Sequence, residues 1–241
     1  MEDNKFTQSQ SHGLVWDSEI REKVFKLPQC INDTKKYDID CSDNMYCPDE
    51  NVSIKTTCSA NIDCGDIQRF YNNDFTENKY TNIIVIIYEQ CADTKQIKEI
   101  IEFKYNEEIR NFLFGTITKE EIEEYNKYIK SISKGPVPQE IKINYIKTKQ
   151  ELQARHNMFI NISPKVDSKS QRRVQCSIPK IQELFTRFPS HIISRSDKAE
   201  VKNVAITSTI PSTKRIRNKK IAIPLLMVGA IAGAIATATT D

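Results

Sequence analysis

Apolar positions recur with a helical period near the start of the chain. Trp16, Ile20 and Val24 are spaced four residues apart and the positions between them are mostly charged, so residues 16–27 predict an amphipathic helix. Pro28 follows directly and cannot continue that helix, because its ring clashes with the preceding turn. We therefore expect one face of this helix to be buried against strands that come later in the chain.

Strand-like patterns dominate the middle of the chain. Residues 82–88 (NIIVIIY) contain five consecutive β-branched residues, which predicts a central strand buried on both faces. Residues 97–105 predict its neighbour in a hairpin, and residues 51–57 alternate between polar and apolar side chains as a strand does. Residues 118–132 begin with a threonine cap and acids in the first turn, which predicts a helix. Other patterns predict a short extended piece at 37–39, strands at 158–163, 173–178 and 203–210, and helices at 66–75 and 179–188.

These elements predict a mixed α/β domain over residues 14–210, preceded by a flexible polar lead over residues 1–13. A basic linker over residues 211–220 and an apolar tail over residues 221–241 follow the domain. Residues 221–240 carry no charge, and a stretch of that length can cross a bilayer with its basic flank on the cytoplasmic side. The alternative is a buried or disordered Ala-rich tail, because Ala, Gly and Thr are only weakly apolar.

Charge is segregated along a chain whose net charge is only +3. Residues 164–220 contain 14 Lys/Arg against 4 Asp/Glu, whereas residues 1–163 are net acidic. A basic C-terminal third predicts a polyanionic partner. The six glycines form no phosphate-binding loop, and the three histidines are too scattered to form a metal cluster.

The seven cysteines and the polar, acidic N-terminus predict reduced thiols in the cytoplasm or the nucleus, unless the tail anchors the domain to a membrane. Cys41 and Cys47 are separated by the same interval as Cys58 and Cys64, which suggests a zinc site. The usual spacing in zinc knuckles is shorter, so we favour small buried hydrophobic side chains.

One constellation indicates chemistry. The first helix carries Glu19, the short extended piece Tyr37-Asp38-Ile39 carries an acid, and the strand segment Ser53-Ile54-Lys55 ends in a lysine. This layout resembles the PD-(D/E)xK, or restriction-endonuclease-like, nucleases, and it is similar to DNA-virus and phage members of that superfamily. The resemblance implies a mixed central sheet flanked by helices over residues 14–210.

The resemblance also implies a Mg²⁺-dependent DNA endonuclease, with Mn²⁺ as a substitute metal. Asp38 would bind the metal with help from Glu19, and Lys55 would position the attacking water. Ser53 stands where the family usually has a carboxylate. Two replacements are open, namely the backbone carbonyl of Ile54 or a carboxylate from elsewhere, with Glu19 and Glu50 the nearest; otherwise catalysis is lost.

A second acid competes for the first position of the motif. Pro48-Asp49-Glu50 spells a literal PD close to Lys55. Asp49 and Lys55 would then share one strand or its lead-in turn, leaving no room for the second strand. We therefore favour Asp38.

The basic segment 164–180 predicts a surface for double-stranded DNA. Cations neutralise phosphates, and glutamine can read base edges. The resemblance points to the same late segment, and to a homodimer that cuts both strands. The predicted DNA-binding residues are Lys165, Lys169, Arg172, Arg173 and Gln175.

Two other functions remain open from the sequence. One is a DNA-binding module that keeps the fold but has lost catalysis at Ser53. The other is a tail-anchored interaction protein whose basic face meets anionic lipid head groups.

Overall fold

The computed structural model describes residues 11–28, 36–73, 75, 79–166 and 171–212, which form both helices and strands. The first helix, α1, continues into one π-helical turn over Ile20–Val24. The helices are α1 (Ser11–Glu19), α2 (Ile67–Tyr71), α3 (Glu107–Phe114), α4 (Lys119–Ser131), α5 (Gln139–Arg155) and α6 (Ile181–Arg187). The strands are β1 (Glu50–Thr57), β2 (Ile62–Asp66), β3 (Tyr80–Cys91), β4 (Thr94–Tyr105), β5 (Asn161–Val166), β6 (Arg172–Ile178), β7 (Ile192–Ser196), β8 (Glu200–Val201), β9 (Val204–Ala205) and β10 (Thr209–Pro211).

The main sheet is mixed and has β3 at its centre. β1 pairs with β3 in parallel, and β4 pairs with β3 in an antiparallel hairpin. β7 and β10 both pair with β4, so β1 is left as an edge strand. The prediction of a central strand over 82–88 with a hairpin partner over 97–105 is confirmed, and so is the mixed α/β class.

The two faces of the main sheet pack into two separate cores. On one face, Ile84 and Ile86 of β3 pack with Trp16 and Ile20 of the first helix. On the other face, Ile83 and its same-side neighbours pack against the remaining helices and a second sheet. A strand with apolar side chains on both sides is what such a two-sided arrangement requires.

The second sheet is antiparallel, in the order β2-β6-β5. Its middle strand is joined to the helices by Asn126 of α4, which is almost fully buried. The amide oxygen of Asn126 accepts the Val174 N–H at 3.3 Å, and its nitrogen donates to the Gln68 side chain of α2. This amide therefore fixes α2, α4 and β6 relative to one another.

Several elements differ from their predictions. β5 begins at Asn161 rather than 158, and the stretch 203–210 forms two short strands instead of one. α5 was not predicted, because Tyr145 and Leu152 are its only buried side chains and they do not mark a continuous apolar stripe. The helices in the described ranges include none that is long and apolar enough to cross a membrane. The tail over residues 221–241 lies outside those ranges.

Thr118 begins α4 with a capping box, in which its hydroxyl accepts the Glu121 N–H and the Glu121 carboxylate accepts the Thr118 N–H. We expect Thr118→Ala to lower the free energy of unfolding by about 1 kcal/mol. The Glu121 N–H loses its acceptor, the threonine hydroxyl, and the reciprocal pair of hydrogen bonds is broken. Urea denaturation followed by circular dichroism measures this. Thr148→Ala is the matched control, because the half-buried Thr148 hydroxyl donates to the Asn144 carbonyl within α5 and caps no helix; this change should leave stability unchanged or raise it slightly. Equal losses in both variants would contradict the assignment.

Candidate active site

Asp38 is held against the free edge of β1. Ile39 and Val52 exchange two backbone hydrogen bonds, of 3.1 and 2.8 Å. Two residues further along the same edge, the Ile54 N–H donates to Asp38 Oδ2 at 2.6 Å. Because the N–H and C=O of one strand residue point to the same edge, the Ile54 carbonyl also lies on the side of Asp38.

Ser53 and Lys55 meet the same carboxylate from the face of the strand. Ser53 Oγ donates to Asp38 Oδ2 at 3.1 Å, and Lys55 Nζ lies 3.6 Å from that oxygen. Alternation along β1 places both side chains on the face opposite to Val52. The structure thus brings Asp38, Ser53 and Lys55 together, as the spacing in the sequence predicts.

The competing acids lie elsewhere. Glu50 is buried on the other face of β1, where Tyr80 Oη donates to it at 3.0 Å and Lys202 Nζ lies 3.4 Å away. Asp49 belongs to the turn before β1 and does not line the cavity that contains Lys55. The choice of Asp38 over Asp49 therefore agrees with the geometry.

The helix acid nearest this site is Asp17, and the structure does not bring Glu19 to it. The Glu19 carboxylate accepts the Thr207 N–H at 2.9 Å and the Thr207 hydroxyl at 2.8 Å, and it also pairs with Lys23. Two residues on an α-helix differ by about 200° in direction, so Asp17 and Glu19 cannot face one site. Arg21, one turn after Asp17, donates to the Asp38 carbonyl and ties this side of the helix to the acid.

The environment of Asp17 is electrostatically unusual. Burial, followed by repulsion from Asp38, raises the pKa of the Asp17 carboxyl to about 7, although Lys55 and Arg21 act in the opposite direction. Its Oδ1 is buried and has no hydrogen-bond partner among the described residues. For Glu19, burial alone would raise the pKa, but the hydrogen bonds from Lys23 and Thr207 lower it below its ordinary value. The pKa values of Asp17 and Glu19 are therefore shifted in opposite directions.

A cavity of about 370 Å³ opens in front of Asp38, Ser53 and Lys55. It is also lined by side chains from α2 and the second sheet. Asp66 accepts the Arg69 N–H at 3.0 Å and so caps α2. The remaining lining residues are Lys36, Tyr37, Cys64, Gly65, Phe70, Asn73, Thr81, Arg173 and Gln175.

The predicted DNA-binding residues separate by strand alternation. Arg173 and Gln175 point into the cavity, and Lys165 is directly opposite Arg173 in the β5–β6 register. Like charges paired across strands repel each other, so this pair favours an anionic ligand. Arg172 points the other way and donates to the backbone carbonyls of Ile132, Ser133 and Gly135, where it holds the loop between α4 and α5. Lys169 lies outside the described residues.

Sequence reasoning missed Arg69 and Asn73, which line the cavity, and Asp17, which does not line it but interacts electrostatically with Asp38 and Lys55. Arg69 and Asn73 are four residues apart, which places them on one side of the short helix and its final turn. Asp17 and Arg21 have the same spacing. That spacing was the available signal, but it does not show which side of a helix meets the site.

A scan against protein-family models and searches of curated proteins and of solved structures gave no match for this chain. Within the described residues, no group of three or more His, Cys, Asp or Glu side chains is arranged to hold a metal ion. Any assignment of function therefore depends on the geometry of this cavity.

The raised pKa of Asp17 predicts a pH-dependent stability in metal-free buffer. Between the ordinary Asp pKa and about 7, the folded protein binds more protons than the unfolded chain, so stability falls as pH rises through this range. We expect Asp17→Asn to remove this fall and to stabilise the protein at pH 8 by as much as about 4 kcal/mol. Urea denaturation in EDTA at pH 5 and pH 8 measures both effects.

Glu19→Gln is the matched control. Because the pKa of Glu19 is lowered, its charge stabilises the fold above the ordinary pKa, and its removal should destabilise the protein at neutral pH. If Asp17→Asn destabilised the protein at pH 8 as Glu19→Gln does, the assignment of a strained, buried carboxyl at Asp17 would be wrong.

Proposed function

We propose that this protein is a divalent-metal-dependent DNA endonuclease with a restriction-endonuclease-like fold. One observation carries the proposal: a single cavity contains Asp38, Ser53 and Lys55 from the main sheet and Arg173 and Gln175 from the second sheet. Metal-dependent phosphodiester hydrolysis uses acids that hold the metal, a cation beside them that stabilises the developing charge, and further cations for the flanking phosphates. Two distant parts of the sequence supply these groups at one place.

The residues present fit a hard divalent cation. Mg²⁺ is usually held by one or two carboxylates, with waters and substrate phosphates completing its shell. Asp38 and Asp17 would supply the carboxylates, and the Ile54 carbonyl lies on the same edge of β1. The buried, unpartnered Oδ1 of Asp17 supports this fit, since a cation would satisfy it. When bound, the metal would polarise the scissile phosphate and lower the pKa of a coordinated water.

Asp17 offers a replacement for the carboxylate missing at Ser53. The Ser53 hydroxyl donates to Asp38 Oδ2, so its role is to orient that carboxylate rather than to bind metal. The negative charge that family members carry on the strand would come here from the helix. In this arrangement the site still has two carboxylates, those of Asp38 and Asp17, although position 53 carries a serine.

Lys55 is the residue that would act on the reacting groups. Its ammonium lies 3.6 Å from Asp38 Oδ2, and its side chain is 24% exposed, so it can reach a phosphate entering the cavity. A cation in this position orients the attacking water and stabilises the charge that develops on the phosphate. Arg173 and Lys165 would hold the DNA backbone next to it.

A non-catalytic DNA-binding module is the second candidate, and the serine at position 53 favours it. A hydroxyl is a far weaker ligand for Mg²⁺ than a carboxylate. The two candidates share the DNA surface and differ in what Asp38 and Lys55 do.

Cleavage of supercoiled plasmid and of a broad pool of linear DNA by the full chain with Mg²⁺ separates these candidates. We expect Asp38→Ala and Lys55→Ala each to lower the cleavage rate at least about 100-fold, because each removes a group that acts at the phosphate. Asp49→Ala should cut at the wild-type rate, since Asp49 does not line the cavity.

Two outcomes would contradict the nuclease proposal. Normal cutting by Asp38→Ala would place the chemistry elsewhere. Binding of DNA by folded wild-type protein without any cleavage, in either Mg²⁺ or Mn²⁺, would favour the non-catalytic module.

Metal binding has a readout that does not depend on activity. We expect saturating Mg²⁺ to raise the melting temperature of the wild-type protein at pH 8, because the folded state binds the ion. At about 100 times the dissociation constant this corresponds to about 2.7 kcal/mol. Asp17→Asn and Asp38→Asn should abolish the shift, and Glu19→Gln should retain it. A shift that survives Asp17→Asn but is lost in Glu19→Gln would restore Glu19 as the metal ligand.

A further inference from the structure

The end of α2 brings a buried amide to the cavity. Asn73 is 8% exposed and lines the space in front of Lys55, yet its side chain makes no hydrogen bond to any residue that the structure describes. More than nine in ten buried polar groups in folded proteins are hydrogen-bonded. The Asn73 amide lines the cavity without a protein partner, so it is available to a ligand that enters.

Two arginine side chains at the same cavity also lack partners among the described residues. The side chains of Arg69 and Arg173 are exposed, and neither makes an ion pair or a hydrogen bond with a described residue. Arg69 lies one turn before Asn73, and Arg173 lies two residues before Gln175 on β6. Each wall therefore presents one guanidinium and one amide.

These two kinds of group differ in what they can bind. A guanidinium only donates, so phosphate oxygens satisfy it completely. An amide both donates and accepts, and a phosphate diester cannot donate to its oxygen. A base edge can do both, and adenine presents an acceptor and a donor side by side in the major groove, which matches an asparagine or glutamine side chain.

We propose that Asn73 reads the edge of an adenine next to the scissile phosphate, with Gln175 on the opposite wall, while Arg69 and Arg173 hold the flanking phosphates. The site would then have a sequence preference set within the catalytic cavity. This inference rests on the proposed function only in taking DNA as the ligand, and it does not require that the DNA be cut.

The test is a binding selection with the full chain in EDTA, so that no DNA is cleaved. The probe is a duplex pool with a randomised central segment, and the bound fraction is sequenced. We expect the wild-type protein to enrich adenine at one position by about 5- to 100-fold, which is the discrimination of one bidentate contact. Asn73→Ala should lose the enrichment at that position alone.

The variant Asn73→Asp distinguishes loss of the base contact from misfolding. It keeps the size of the side chain but replaces the amide donor with a second acceptor, and acidic side chains accept from the cytosine amino group. The preferred base should therefore change from adenine to cytosine. A change of preference cannot result from loss of structure.

Arg69→Ala tests the phosphate contact. We expect binding to weaken equally for all sequences, with the slope of log affinity against log salt smaller by about one. Arg155→Ala is the matched control, because Arg155 is exposed on α5 and does not line this cavity. Its affinity and salt slope should equal those of the wild type.

The outcomes separate this inference from the proposed function. A wild-type protein without base preference, or a preference that is unchanged in both Asn73 variants, would overturn the reading role of Asn73. A salt slope unchanged in Arg69→Ala would overturn the phosphate contact. Preference that is lost as expected in a protein that never cuts with Mg²⁺ would support this inference and overturn only the nuclease.

Discussion

The site depends on how the free edge of β1 is satisfied. An edge strand has a row of N–H and C=O groups without partners in its own sheet. Here Ile39 exchanges backbone hydrogen bonds with Val52, and the Asp38 carboxylate accepts a hydrogen bond from the Ile54 N–H at 2.6 Å. The segment before β1 thus acts as a partial sixth strand whose acid is fixed at the edge. Because Lys55 is the next residue on this strand, the backbone fixes where its side chain begins relative to the acid.

The charges around this edge include a carboxyl, that of Asp17, whose ionised form is unfavourable in the metal-free protein. Burial and then repulsion from Asp38 raise the pKa of Asp17, while Lys55 and Arg21 act in the opposite direction. Two acids placed together in this way destabilise a metal-free protein and favour binding of a divalent ion. The cost in stability is thus linked to the proposed function.

The sequence predicts those features that depend on residues close together in the chain. It does not predict which side of a helix or strand faces the site, because that depends on contacts with residues far away in the chain. Five consecutive β-branched residues suffice to predict β3, and the order of an acid on a short extended piece followed by a strand with a lysine is compatible with the contact between Asp38 and Lys55. The choice between Asp17 and Glu19 was out of reach. The two acids flank the apolar stripe of the first helix on opposite sides. The hydrogen-bond partner of Glu19 is Thr207, which lies 188 residues later in the chain. The same holds for Arg172 and Arg173, because adjacent strand residues point in opposite directions and only the packing of β6 shows which one meets the cavity.

The cavity lies where the two sheets meet, and a local irregularity shapes the wall that the second sheet contributes. The register of β2 against β6 shifts between Asp63 and Gly65, and Gly65 has a φ of +76°, which disfavours any residue with a side chain. Such a bulge bends a strand and redirects the residues that follow. Here it leads directly into Asp66 and α2, which carries Arg69 and Asn73 to the cavity. The groups proposed to act on phosphate belong to the main sheet, whereas those proposed to read DNA belong to the second sheet and α2. Their relative position depends on the contacts between the two sheets, so recognition and catalysis would be coupled through this junction.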